Sequence, residues 1–120
     1  MKLITAIGAL ALVGTALVTA APAQAKANPP CYAKNGHLYC GNKARVTIWR
    51  SAEYSKYDRD AIDTLMSNPS YFECYTRGQK HNGGNNVWYR TYGDVHGRTG
   101  YVAAVSVYTP RDPFPGVKHC

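Results

Sequence analysis

Between Asn85 and Tyr108 the chain reads Asn-Asn-Val-Trp-Tyr-Arg-Thr-Tyr-Gly-Asp-Val-His-Gly-Arg-Thr-Gly-Tyr-Val-Ala-Ala-Val-Ser-Val-Tyr. Short runs of β-branched and aromatic residues alternate there with glycine turns. Such side chains suit a pleated, half-buried surface, and Gly93, Gly97 and Gly100 supply backbone conformations that other residues resist. The stretch predicts a β-meander, and the rest of the chain has to fold around it.

Further strands follow from alternation. Ala44 to Arg50 places Val46 and Ile48 on one face and Arg45, Thr47 and Trp49 on the other. Tyr71 to Thr76 separates Phe72 and Cys74 from Tyr71, Glu73 and Tyr75, and Val87 to Tyr92 returns as its partner after the glycine-rich loop 77–86. Thr99 to Ala103 and Val105 to Val107 complete the set. Ser51 to Asp60 is a loop by composition, and Asn68-Pro69-Ser70 is a turn signal. Residues 58–66 stay open between one helical turn and an irregular strand. Ile62, Leu65 and Met66 fall at helical spacing there, with Asp58 or Asp60 available as a cap. About five short antiparallel strands predict an all-β fold closed into a small barrel, which also hides strand edges.

The sharpest local signal is Cys31-Tyr-Ala-Lys-Asn-Gly-His-Leu-Tyr-Cys40. Asn35-Gly36 is the preferred pair for a two-residue turn in which both positions need positive φ. Lys34 then faces His37, Ala33 faces Leu38, Tyr32 faces Tyr39, and Cys31 faces Cys40. Counting outward from the turn puts the cysteines in a closely spaced non-hydrogen-bonded pair, within disulfide reach. Cys31–Cys40 is the expected first bridge, which leaves Cys74–Cys120 as the second. Loop-closure entropy assigns roughly 3 kcal/mol to the short ring and about 4 kcal/mol to the long one.

Met1 and Lys2 precede an apolar run from Leu3 to Ala21, followed by Pro22-Ala23-Gln24-Ala25, the pattern of a secretory signal peptide cleaved after Ala25. The expected organisation is therefore a leader over 1–25, a lead and disulfide hairpin over 26–43, a barrel over 44–108, and a tethered tail over 109–120. Four cysteines in a small exported domain argue for two disulfides and a secreted, extracellular protein. No membrane contact is expected once the leader is gone.

The whole chain carries a formal charge of +7, from 14 basic and 7 acidic residues. That sign favours anionic partners such as a cell-wall polymer. The basic residues are scattered without a run, which disfavours nucleic acid. A monomer is expected.

No Gly-x-Ser-x-Gly elbow, His-Glu-x-x-His motif or metal-ligand spacing occurs, so neither a metal nor a cofactor is expected. His37 and His119 read as surface residues. His81 and His96 lie in loops, and with Glu73 and Arg90 they offer the acid, base and cation that a small secreted ribonuclease requires. The aromatic content offers another reading: ten Tyr, two Trp and two Phe are a rich load for so small a core, to be divided between filling a small barrel and forming an outward recognition shelf. Trp49, Tyr71, Tyr75, Trp88 and Tyr92 fall on the outward side of the expected strands. Tyr54 and Tyr57 border them, with Arg50, Arg90 and Asn85 alongside. The expected ligand-binding set is Trp49, Arg50, Tyr54, Tyr57, Tyr71, Trp88, Arg90 and Tyr101.

From Val46 to Val107 the order of an Ile48-Trp49-Arg50 strand, a long loop, Ile62-x-x-Leu65, a Phe72-x-Cys74 strand, Trp88-Tyr89-Arg90 and Gly100-Tyr101-Val102 resembles a bacterial SH3 (SH3b-type) domain. With leader and cysteines, the whole looks like a small secreted SH3-domain protein of actinobacterial type. The resemblance implies an SH3-like barrel and a non-enzymatic binding module. It would recognise cell-wall peptidoglycan peptides or an extracellular protein partner. The alternative is a secreted hydrolase such as a ribonuclease using His81 and Glu73.

Overall fold

A computed structural model of the chain describes residues 30–120, so the expected leader lies outside the described residues. Asn35 and Gly36 take φ of 54° and 83°, which the turn between β1 (Tyr32–Lys34) and β2 (His37–Cys40) requires. The register is Tyr32 to Tyr39, Ala33 to Leu38 and Lys34 to His37. One step further out, the Cys31–Cys40 disulfide closes the ring.

Five more strands follow: β3 (Val46–Trp49), β4 (Ala61–Leu65), β5 (Ser70–Arg77), β6 (Val87–Tyr92) and β7 (Thr99–Ala103). All seven belong to one antiparallel sheet in the order β1-β2-β5-β6-β7-β3-β4. The all-β expectation holds, but the expected closure does not. β1 and β4 end the order and do not pair with one another, so the sheet is open where an SH3-like barrel of about five strands was expected. The hairpin expected to precede a separate barrel explains the difference. β2 pairs with β5 through Leu38–Phe72, Tyr39–Tyr71 and Cys40–Ser70, which makes the hairpin part of the main sheet.

One face packs the core of Leu38, Ile48, Leu65, Phe72, Val87, Tyr89 and Val102, with Val107 and Val117 brought in from the C-terminal segment. Tyr89 is fully buried, and its hydroxyl donates to Asp112 at 2.8 Å while accepting the Phe114 N–H at 2.9 Å. A buried phenol needs such partners, and here they tie the proline-rich tail to the core. Burial, with Asp112 beside it, pushes the Tyr89 pKa up. The tail then completes β5. The Tyr75 N–H donates to the Lys118 carbonyl and the Cys120 N–H to the Tyr75 carbonyl, where the Cys74–Cys120 disulfide pins the chain end.

One segment left open is settled, and another differs from expectation. Residues 58–66 are both of the forms left open, a 3₁₀ turn over Asp58–Asp60 running straight into β4. The helical spacing misleads because the inward position of β4 is polar: Asp63 is buried beside Leu65, and Ile62 is the extra residue of a bulge opposite Ile48 and Trp49. The expected strand over residues 105–107 is instead a 3₁₀ turn over Ala104–Ser106, after which Val107 makes a single bridge to Asn42. Among the described residues, no helix is long and apolar enough to cross a membrane.

Candidate functional site

The outward face of the sheet carries one tyrosine from each of four adjacent strands. Tyr32 on β1, Tyr39 on β2 and Tyr71 on β5 are direct cross-strand partners, and Tyr92 on β6 stands next to Tyr71. The rings form two parallel pairs. Tyr32 and Tyr39 stack at 5.0 Å and 13°, and Tyr71 and Tyr92 stack at 6.0 Å and 11°. Between the pairs the ring plane turns, with Tyr39 and Tyr71 meeting at 61°. A hollow of about 410 Å³ opens beside this step, walled by Pro30, Tyr32, Tyr39, Pro69, Ser70 and Tyr71. Tyr32 remains 52% exposed and Tyr92 43%, so rings that could have filled a core face outward instead.

Polar groups border the row. The Glu73 carboxylate accepts from Arg90 Nε and Nη2, both at 3.0 Å, and from the Tyr92 hydroxyl at 3.0 Å. Burial alone would raise the Glu73 pKa, but the Tyr92 and Arg90 donors outweigh it and hold the carboxyl below its usual range. Tyr71 is shifted up by burial, then by Tyr92, Glu73 and Tyr39, and Tyr92 is shifted up first by its bond to Glu73. The Tyr101 side chain and Glu73 together raise the Arg90 pKa. His37 packs on Tyr71 at 5.2 Å, and its Nδ1–H donates to the Glu73 backbone carbonyl at 2.9 Å.

The expected ligand-binding residues divide among three places. Tyr71, Arg90 and Tyr101 lie on or beside the tyrosine face. Trp49, Tyr54 and Trp88 form a separate edge-to-face stack, with Tyr54 5.9 Å from Trp49 and 5.0 Å from Trp88. Trp88 is completely buried, its indole N–H donating to the Gln79 carbonyl at 2.8 Å, so it touches no ligand. Loop residues fold over the outward side of β6 there and bring Trp88 inside. Arg50 and Tyr57 lie near the 58–60 turn, where Arg50 reaches Asp60 and the Arg59 guanidinium covers the Tyr57 ring at 4.6 Å. Tyr75 lies against His119 of the tail at 5.0 Å. Tyr32 and Tyr39 were not among the expected site residues, although the hairpin register already placed them side by side.

The ribonuclease alternative fails on geometry. His81 is only 6% exposed, donates from Nε2 to the Val87 carbonyl at 2.9 Å and accepts the Gly83 N–H at Nδ1 at 3.1 Å. Both ring nitrogens are occupied by backbone, while Glu73 is occupied by Arg90 and Tyr92. Among the described residues, no group of three or more His, Cys, Asp or Glu is placed to hold a metal ion.

Compared with protein-family models, curated proteins and solved structures, the chain finds no match. The molecule is thus defined by its own architecture, an open seven-stranded antiparallel sheet with two disulfides and a tyrosine-lined face. The SH3b-type resemblance is corrected accordingly. With an open sheet and no family match, the ground for an SH3b-type module binding cell-wall peptidoglycan or an extracellular protein falls away.

Proposed function

We propose that this protein is a non-catalytic saccharide-binding protein whose ligand lies across the tyrosine face. The observation that carries the reading is the hollow between Pro30, Tyr32, Tyr39, Pro69, Ser70 and Tyr71. Its volume of about 410 Å³ suits a small ring system, and its walls are mainly apolar, built from three tyrosines, two prolines and a serine. Sugars present that same mixture, C–H faces flanked by hydroxyls. Neighbouring rings along the row lie 5.0, 5.3 and 6.0 Å apart, the scale of a single sugar ring.

Binding rather than cleavage is favoured because, among the described residues, the walls hold neither carboxylate nor imidazole. Glycoside hydrolysis ordinarily uses two carboxylates flanking the bond. Glu73, the carboxylate bordering the row, is already engaged by Arg90 and Tyr92. A neutral polysaccharide is the expected ligand, since among the described residues the hollow carries no charged side chain. The reading includes an oxidising, extracellular setting, where two disulfides persist.

Affinity electrophoresis through gels containing soluble neutral polysaccharides tests it. The oxidised chain is expected to be retarded in at least one gel, and Tyr32→Ala combined with Tyr71→Ala to run as in plain gel. Unretarded migration of the wild type in every gel would overturn the proposal.

A further inference from the structure

A second hollow of about 330 Å³ lies at the β4 end of the sheet, away from the tyrosine face. Arg50, Arg59, Arg98 and His96 line it, with Asp58 and Ile62. We propose that this cleft is an oxyanion-binding site, taking a carboxylate, sulfate or phosphate group through its guanidinium donors.

One wall of the cleft is held by hydrogen bonds to a buried carboxylate, while its three arginines and His96 lie at the surface. Arg98 and His96 belong to the loop between β6 and β7, and Asp63 of β4 holds that loop in place. Its carboxylate, on a residue only 6% exposed, accepts the N–H groups of Val95, His96 and Arg98 at 2.9–3.1 Å. Asp94 answers from the loop by accepting the N–H groups of Met66 at 2.6 Å and Ser67 at 2.9 Å. Gly93 passes so close to Asp63 that a Cβ there would overlap its carboxylate. The β4 bulge at Ile62 bends the strand at the same place. So much anchoring fixes Arg98 and His96 opposite Arg50 and Arg59.

Arg50 and Arg59 keep part of their donor capacity, although the Arg59 guanidinium also lies over the Tyr57 ring. Arg50 and Arg59 approach Asp60 at 3.5 and 3.8 Å through Nε, and Arg50 Nη2 also donates to the Arg59 carbonyl at 2.6 Å. Among the described residues, the Arg98 guanidinium has no ion-pair partner. Each guanidinium offers five N–H groups in a fork that matches planar or tetrahedral oxyanions. Asp58 and Asp60 offset part of the positive charge, so the site favours a single oxyanion over a polyanion.

The test is an NMR titration of the oxidised chain with sodium sulfate, sodium phosphate and sodium acetate, each against sodium chloride at matched ionic strength. Saturable shifts of the His96 and Arg98 amides are expected with at least one oxyanion. Arg98→Gln and Arg59→Gln should each weaken that binding at least fivefold, while Lys34→Gln on β1 leaves it unchanged. A stronger response to acetate identifies a carboxylate site, and a stronger response to sulfate or phosphate a tetrahedral one. Shifts no larger than those of chloride, or wild-type binding by both arginine variants, would overturn the proposal.

Discussion

Asp63 is the residue whose chemistry carries furthest. Burial would raise its pKa, but the amides of Arg98, Thr64, His96 and Val95 outweigh that and lower it to about 2. A carboxyl depressed in the folded state contributes stability above its unfolded pKa of about 3.9 and loses it as pH falls through the folded value. The contribution is about 2 kcal/mol, present at pH 5 and fading toward pH 2. Urea unfolding of the wild type and Asp63→Asn at pH 6 and pH 2.5 should show the gap between them shrinking by about that amount. A gap independent of pH would contradict the assignment. Gly93→Ala should damage the same contact sterically and cost about 1–3 kcal/mol in the same unfolding measurement. An unchanged midpoint would show that the loop yields freely.

At the level of elements, β5 is the organiser, because it pairs with β2 and β6 and takes the C-terminal tail where β2 stops. The Cys74–Cys120 bridge closes a separation of 46 residues, for which chain entropy gives about 4 kcal/mol. Replacing both cysteines by serine should lower the unfolding free energy by about 2–4 kcal/mol and speed hydrogen exchange at Lys118 and Cys120. A loss under about 1 kcal/mol would mean that the Asp112–Tyr89 contacts hold the tail unaided. Local elements were legible in the sequence wherever a chemical signal was local. Asn35-Gly36 fixed the hairpin register and with it the Cys31–Cys40 pair, and alternation located β3, β5, β6 and β7. β4 stayed open between a helical turn and a strand, because its inward Asp63 is satisfied by a loop some thirty residues away. Openness of the sheet was equally hidden, since no local pattern announces that β2 joins β5.

For the whole molecule, the central claim is that surplus tyrosines form one recognition surface. The composition showed the surplus, but assigning it required knowing which strands are neighbours. Trp88 has the alternation of an outward residue and is buried by a loop, while Tyr32 and Tyr39 gain meaning only beside Tyr71. Tyr32→Ala and Tyr71→Ala should each weaken saccharide binding about tenfold, with stability shifting by no more than about 1 kcal/mol for the half-exposed Tyr32 and by about 1–3 kcal/mol for Tyr71, which packs on three rings. Calorimetric titration and thermal unfolding of each variant check the two halves separately, and a variant that binds as wild type would remove that ring from the site. The most direct measurement is an NMR titration of the tyrosine ring signals with neutral hexasaccharides of glucose, mannose and N-acetylglucosamine. The account predicts saturable shifts at Tyr32, Tyr39, Tyr71 and Tyr92 with at least one of them. Silence toward all of them, or shifts centred instead on Trp49 and Tyr54, would contradict it.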